Sequence, residues 1–600
     1  MPTARISSRS WHAMLFAVPP IVAAALVWFT VANPTYNEPF FVYSAYYQLF
    51  ALVLLYAGLR VLALNVDAVR SWARDHAPGL IVAALVGIVA VFAIDAEFRV
   101  LADEANLVGT SKHLYFHRAA NFPVAGKWYY ENYWTLASVT ARRPALYPFL
   151  VSLLHVLRGY RVENAFYVNV FVLVTLIFVS YRLAKTLGGE VFGVVTALLV
   201  GAHPNLLIAA RSGGFDLLAT CMLVVVAQSY TIAVKDPSPR RVAVVFLNLC
   251  LLANVRYEGW ALLVLGVILL FATRVARIER LRGYGWLYAI SPFLVLPRYW
   301  QTVAKADDSE QPLSASLFSF EHFWNNWGEF LSVLRRPLDT SVPHAPIVIA
   351  LSIAGLLLLV VQFGRALRAR SLERDGLCIG AFFAAFVGAQ VVICFSYFWG
   401  HALHPASARL FLWLDVTMAF LAGWLLTAVG RRTRIEVAAL GRRSAAPVPV
   451  FLAAALLTMA FPPAREARFI NSLGLTRQAA MTWRYLESLG TRRILVLSDR
   501  PGLYAIHDYG AVSIVNAPRS LLFELSRHLY ADIYLVQEVD LATHEPQQKF
   551  NPWPDVKTET VLEFQNSATS SVRIARVLDP LRALRGAAKP SPTVSHQSSN

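Results

Sequence analysis

The residues of chemical interest are charged groups set in apolar surroundings. IDAEFRVLADEAN (94–106) carries Asp95, Glu97, Arg99 and the adjacent acids Asp103 and Glu104. A carboxylate partly desolvated near a membrane surface can be tuned toward a neutral pKa and serve as a general base. Asp103 and Glu104 are therefore the candidate catalytic pair. The competing reading is a solvated loop in which Asp103 caps the next helix, ANLVGTSKHLYFHRAA. On that helix Lys112, His113, His117 and Arg118 could meet a lipid phosphate or act as interfacial anchors.

Basic residues recur beside other apolar runs. Arg143, next to Arg142, precedes PALYPFLVSLLHVLRGY; Arg211 and Asp216 flank the turn in AARSGGFD; Arg256 and Glu258 lie in NVRYEGW; Arg409 follows His401 and His404 in GHALHPASARLFLW. A phosphate leaving group needs donors that meet developing negative charge, so Arg143, Arg211, Arg256 and Arg409 are candidate donor-phosphate ligands. Asp216 and Glu258 are second acidic or substrate-facing positions. Each arginine taken singly could instead be a snorkelling anchor, and Arg211 and Asp216 could neutralise each other across their turn. No Walker loop, HExxH or GxSxG occurs, and the 95–164 segment has no DxD. No cofactor is required by these residues; a divalent metal is compatible with them but no motif demands it.

The elements that must hold these groups are apolar helices. Of 600 residues, 57% are hydrophobic and 15% charged, with a mean hydropathy of +0.50. A typical soluble protein is about 45–50% apolar and about 25% charged, so a single soluble domain is excluded. The 12% aromatic content argues against disorder. Cys221, Cys250, Cys378 and Cys394 sit in apolar runs without CxxC spacing and read as small buried hydrophobes.

About thirteen segments approach the ~20 apolar residues of a spanning helix. They run over 13–31, 42–64, 79–94, 165–183, 191–207, 215–234, 242–255, 259–273, 286–296, 345–363, 377–395, 410–429 and 448–461. The first is longer than a signal-peptide core and reads as an anchor. With the N-terminus in the cytoplasm, alternate connections carry Arg5/Arg9, Arg70/Arg74, Arg182/Lys185, Lys235/Arg240/Arg241, Arg274–Arg282, Arg365–Arg374 and Arg431–Arg443. This obeys the positive-inside rule, so the net charge of +17 calls for no nucleic acid. An odd number of spans puts the C-terminal region outside.

The expected architecture is a polytopic α-helical membrane protein with a small C-terminal α/β domain. A transmembrane catalytic domain spans 1–462, with outer loops at about 95–164 and 297–344. A soluble domain follows over 475–579, and a Pro/Ser-rich disordered tail over 580–600. RRILVLS, AVSIVN and DIYLVQ read as short buried strands and PRSLLFELSRHL as an amphipathic helix.

LADEAN, RRPALYPFLVSLLHVLRGY and RLAKTLGGEVFGVVTALLVGAHPNLLIAARSGGFDLLAT, in that order, resemble the GT-C class of glycosyltransferases. Within it they are similar to the bacterial dolichyl-phosphate-mannose–protein mannosyltransferase-like group that includes the aminoarabinose transferases of lipid A. The resemblance covers Asp103 to about Thr220 and continues loosely through SARLFLWLDVTMAFLAGW and the tail. It implies a GT-C-like fold in a bacterial plasma (inner) membrane, with the site and the C-terminal domain facing outward. The donor is then a polyprenyl-phosphate sugar lipid and the acceptor an extracytoplasmic glycan, lipid or protein, transfer proceeding with inversion. The resemblance also implies that Asp103 is the base with Glu104 beside it, that Asp216 is a second acid, and that Arg143 is the basic residue before the Pro-x-Leu-Tyr-Pro run. Ala145 departs from a frequent second proline, and two extra early spans depart from many relatives.

Two other functions share these features. A transporter or flippase also buries charges, but its site usually lies at mid-membrane on broken helices, often within repeats. Here the charges gather at helix ends and no repeat is visible. A polysaccharide polymerase or ligase with a diphosphate-linked donor would need the same arginines. The sidedness is directly testable: single cysteines placed in the 95–164 segment should react with a membrane-impermeant maleimide from outside the cell, and labelling only after the cytoplasm is opened would remove the setting for this chemistry.

Overall fold

The structure, a computed structural model, describes residues 8–61, 66–129, 131–304, 316–335, 345–369, 373–439, 448–466, 474–515, 517–522, 530–565 and 569–578. The chain divides into two compact units. The first comprises Met1–Leu107, Leu114–Ala120 and Ala141–Ile470; the second comprises Val108–His113, Asn121–Thr140 and Asn471–Asn600. Part of the expected helix over PRSLLFELSRHL (residues 523–529) and the expected disordered tail over 580–600 lie outside the described residues.

The first unit is helical. It begins with α1 (Ser8–Ala32), α2 (Asn37–Val61), α3 (Val66–Asp75), α4 (Ala77–Ala93) and α5 (Leu101–Phe116). After residue 140 come α6 (Leu146–Arg158), α7 (Asn164–Gly188), α8 (Glu190–Gly201), α9 (Pro204–Ala210), α10 (Asp216–Lys235), α11 (Pro239–Ala253), α12 (Gly259–Ala272), α13 (Ile278–Arg282) and α14 (Gly285–Ala304). The remainder is α15 (Phe320–Arg335), α16 (Pro346–Arg368), α17 (Arg374–Ser396), α18 (Pro405–Ala408), α19 (Leu412–Ala439) and α20 (Val448–Glu466).

Among the described residues, six helical stretches are long and apolar enough to cross a membrane: Pro34–Val61, Asn164–Gly188, Asp216–Lys235, Pro346–Arg368, Arg374–Ser396 and Arg409–Arg432. Two bent pairs, α3 with α4 and α8 with α9, bring the number to eight if each is one span. Leu146–Arg158, Gly259–Ala272, Val18–Ala32 and Val448–Ala464 are shorter apolar helices. The outer faces are apolar too. Ile353, Leu356, Leu357 and Val360 of α16 are exposed, as are Phe92 and Phe171. Exposed apolar side chains along long apolar helices are what lipid covers in an integral membrane protein.

Local sequence explains the breaks. Gly189 ends α7 with φ +89°, a conformation that side chains with a Cβ rarely adopt. His203 precedes Pro204 and is extended (φ −94°, ψ 113°), as a residue before proline prefers, and the axis turns by 69° between α8 and α9. Ser238 caps α11 by accepting from the Arg241 N–H, with Pro239 in the first turn. One boundary departs from expectation. The helix of α14 continues through Pro292 and Pro297 to Ala304, so Arg298 and Gln301 are helical and buried rather than part of a loop beginning at Pro297. Packing of α14 on α1 and α2 outweighs the local helix-breaking preference of proline.

The second unit holds a seven-stranded sheet in the order β2-β1-β4-β3-β5-β7-β6. Its strands are β1 (Asn121–Tyr129), β2 (Asn132–Thr140), β3 (Ile494–Ser498), β4 (Gly510–Ser513), β5 (Asp532–Asp540), β6 (Thr558–Gln565) and β7 (Ser570–Val577). β3 pairs in parallel with β4 and β5, and the remaining pairs are antiparallel. Alternation builds a core on both faces. Leu495, Leu497, Ile533 and Leu535 point to one side; Ile494, Val496, Tyr534 and Val536 point to the other, with Leu486 of α21 (Gly474–Ser488). The β1–β2 hairpin, drawn from residues far upstream, extends this sheet through Gly126 opposite Ala511. The sequence reading did not single out its strands.

Close helix packing in the first unit depends on small residues. A Cβ at Gly355 of α16 would sit 2.1 Å from the backbone oxygen of Leu421 in α19, and backbone cannot move aside cheaply. Gly355→Ala should therefore destabilise the protein by about 1–3 kcal/mol, the usual cost of overpacking. The readout is the thermal midpoint of detergent-purified protein; an unchanged midpoint would show that the α16–α19 approach is not as close as described.

Candidate active site

The site begins with Glu104, which ties three segments together. It lies in the first turn of α5 and is 2% exposed. One carboxylate oxygen accepts from the Val100 N–H at 3.0 Å; the other accepts from the N–H groups of Arg99 (3.1 Å) and Gly213 (2.8 Å). The first two bonds satisfy donors at the start of α5, in the manner of a capping box. The third reaches the Ser212–Gly214 turn between α9 and α10. Asn169 of α7 clasps the same turn by donating to the carbonyls of Ser212 and Gly214 at 2.7 and 2.8 Å. A Cβ at Gly213 would lie 3.1 Å from Phe98 and 3.3 Å from Glu104, so glycine allows the close approach. Burial raises the Glu104 pKa against the three N–H donors that favour its charge.

Beside this knot runs a chain of charges. Asp103 is bound through one oxygen by Arg143 and through the other by Arg409. Arg409 continues to Asp216 at 3.4 Å, Asp216 to Arg256 at 3.1 Å, and Arg256 to Glu258 at 2.8 Å. Three carboxylates and three guanidiniums alternate, so the cluster is formally neutral. Buried charges persist when they are paired with opposite charges, and every member of this chain is. Arg143 and Arg409 keep 27% and 23% of their side-chain surface, against 10% for Asp103 and 5% for Asp216. The open side of the cluster is therefore cationic. A cavity of about 30 Å³, with Glu104, Asn205, Ser212, Asp216 and Arg409 in its lining, adjoins it.

Six of the eight singled-out residues thus meet: Asp103, Arg143, Asp216, Arg256, Glu258 and Arg409. Glu104 lies alongside and is engaged with backbone donors. Arg211 does not join the ion-pair chain. Its Nε donates to the Ile94 carbonyl at 2.9 Å and its own carbonyl accepts from the Glu97 N–H at 3.1 Å, so it fastens the approach to α5. The alternative Arg211–Asp216 pairing across the turn does not form either: Asp216 pairs with Arg256 and Arg409. Lys112 is 3% exposed and donates to the Ala505 carbonyl and to Asp508, each at 2.6 Å, while His113 contacts Asn121. Both are committed within the second unit rather than to lipid phosphate. His401 pairs with Glu329 at 2.9 Å. Among the described residues no group of three or more His, Cys, Asp or Glu could hold a metal ion.

Sequence reading missed Tyr257, whose hydroxyl accepts from Arg143 at 3.3 Å, and Gln301, whose amide donates to the Arg143 carbonyl at 2.6 Å. The available signal was an arginine and a glutamine one helical turn apart after an apolar run, in LPRYWQ. Asp103 itself departs from the expectation of a neutral-range base. Burial alone would raise its pKa toward neutrality, as expected from sequence, but Arg409 and Arg143 outweigh burial and hold the carboxyl down to about 2. Burial likewise opposes the charge of Arg143, and Asp103 more than restores it.

A carboxyl depressed from its ordinary ~3.9 contributes stability that is complete above about pH 4 and lost as pH falls through about 2. The thermal midpoint of wild-type protein should accordingly drop between about pH 4 and pH 2.5, and Asp103→Asn should show a shallower acid slope. Parallel slopes would contradict the two-arginine clamp.

No protein-family model matches the chain, and no curated protein matches it in sequence. Solved structures do match. The structure of ArnT, a lipid A aminoarabinose transferase, from Cupriavidus metallidurans in the apo state aligns over 87% of this chain and 100% of its own, with 14% identity and a TM-score of 0.50. The same protein bound to undecaprenyl phosphate aligns over 84% and 98%, with 14% identity and a TM-score of 0.47. The Archaeoglobus fulgidus oligosaccharyltransferase in the apo form aligns over 76% and 69%, with 10% identity and a TM-score of 0.47. At such identities the likeness speaks for architecture: this chain has the fold of ArnT, the GT-C fold that its sequence resemblance implies.

Proposed function

We propose that the protein is a membrane glycosyltransferase that moves a sugar from a polyprenyl-phosphate-linked donor to an extracytoplasmic acceptor with inversion. The supporting observation is the ion-pair chain in which Asp103 bridges Arg143 and Arg409, its cationic edge open and its acidic side buried. The GT-C fold supports the same class. In this reading about thirteen spans hold the cluster at the outer face of a bacterial inner membrane, with the C-terminal α/β domain outside.

The low basicity of Asp103 in the resting cluster suggests how donor and acceptor are coupled. A carboxylate clamped by two guanidiniums is a poor base. The donor phosphate, itself an anion, competes for Arg143 and Arg409. As they turn toward it, Asp103 loses the charges that depress its pKa and becomes able to accept a proton. It then takes the proton of the acceptor hydroxyl while that oxygen attacks the anomeric carbon. The bond from that carbon to the phosphate oxygen breaks, and lipid phosphate leaves on the opposite face with its charge met by the arginines. Asp216 and Glu258 keep Arg256 and Arg409 oriented meanwhile. Base catalysis accounts for about 10²–10⁴-fold; positioning and charge stabilisation supply the remainder.

Incubating purified protein with a panel of polyprenyl-monophosphate and polyprenyl-diphosphate sugars, followed by mass spectrometry of the lipid, tests this. The expected outcome is sugar-free lipid phosphate from a monophosphate donor, reduced at least about 100-fold in Asp103→Asn. Consumption of diphosphate donors alone would favour a polymerase or ligase. Passage of intact lipid across a vesicle without bond cleavage would favour a flippase.

A further inference from the structure

Arg143 reaches Asp103 from an irregular segment, Ala141–Ala145, between β2 and α6. Pro144 biases the residue before it toward extended backbone, but that bias does not aim a guanidinium. The aim comes from residues more than 100 positions away. Gln301 of α14 is 1% exposed and donates from one amide nitrogen to two carbonyls of the segment, Ala141 at 2.8 Å and Arg143 at 2.6 Å. Its amide oxygen accepts from Arg298, one turn earlier, at 2.6 Å. Arg298 is 3% exposed, and its guanidinium lies 4.5 Å from the centre of the Tyr257 ring. The Tyr257 hydroxyl accepts from Arg143 at 3.3 Å and donates to the Arg142 carbonyl at 2.7 Å. The two routes converge: one fixes the backbone of Arg143, the other its side chain.

The composition of this bracket is the informative part. Among the described residues Arg298 forms no ion pair. A buried guanidinium that no carboxylate pairs with directly is expensive scaffolding, and an apolar residue would fill α14 at lower cost. The polar choice is explained if Gln301 must be held in one rotamer, with its donor end on the Arg143 segment.

We propose that Gln301 and Arg298 are positioning residues that hold Arg143 toward the phosphate of a polyprenyl-phosphate ligand, acting on lipid-phosphate affinity through Arg143 alone. This rests on the reading of Arg143 as a phosphate ligand. The probe is undecaprenyl phosphate, titrated onto the purified full-length protein in neutral detergent. Gln301→Glu keeps an acceptor for Arg298 but loses the donor to the two carbonyls, and should raise Kd about ten-fold with little change in thermal midpoint. Gln301→Leu and Arg298→Leu should match it in Kd, and Arg298→Lys should recover most of the affinity, as a mere packing role would not.

The decisive readout is a double-mutant cycle. Arg143→Ala should raise Kd by more than ten-fold, and adding Gln301→Glu to it should change nothing further. If Arg143→Ala weakens binding but the two effects multiply, or Gln301→Glu binds as wild type does, the positioning role is overturned while the phosphate reading stands. If Arg143→Ala leaves Kd unchanged, the phosphate role of Arg143 falls and the positioning role with it.

Discussion

Desolvated charge is the constraint around which the first unit is organised. Taking carboxylates and guanidiniums out of water costs several kcal/mol per ion, repaid only when partners and geometry are good. The chain Arg143–Asp103–Arg409–Asp216–Arg256–Glu258 meets that demand by alternation. Each acid within it has two basic neighbours or closes the end. Removing one member of a buried pair typically costs about 3–5 kcal/mol because the other is left buried and uncompensated, so the five stretches of chain that carry the cluster are tied to one another's presence. In the proposed function, the carboxylates are the counter-charges that an incoming phosphate would replace.

The elements that carry these groups are interrupted where the groups are needed. α8 and α9 meet at a 69° bend, and α9 delivers the Ser212–Gly214 turn to Glu104 and Asn169. Arg409 sits in a short 3₁₀ turn just ahead of α19, and Asp216 opens α10. Buried irregular backbone is tolerated where polar side chains satisfy it. Glu104, Asn169 and Gln301 do that with backbone bonds and thereby place the ionic groups. The resulting division of labour separates residues that fix backbone from residues that present charge, a distinction between Asp103 and Glu104 that their adjacency conceals.

Much of the architecture was legible. Long apolar runs announced spans at 164–188, 216–235, 346–368, 374–396 and 409–432, because hydropathy over about 20 residues is a local property. Candidate residues were legible for the same reason: a charge at the edge of such a run stands out. The β1–β2 hairpin was not, since NFPVAGKWY and NYWTLASVT carry a mixed pattern and find their sheet only through a strand almost 400 residues later. The helical state of Arg298 and Gln301 was hidden by Pro297, whose local preference is overridden by packing.

The amino-acid sequence by itself determined the membrane character, the order of helices and the set of charged groups that had to find partners. It also contained the glycines and prolines that break helices beside them. Only the tertiary structure decided which charges meet. Asp103 and Arg409 are 306 positions apart, and no spacing rule reaches that far, whereas Arg211 and Asp216, close in sequence, take different partners. Nor could sequence give the sign of the Asp103 shift. Burial and ion pairing push a carboxyl in opposite directions, and the winner depends on how many guanidiniums the fold brings within bonding distance.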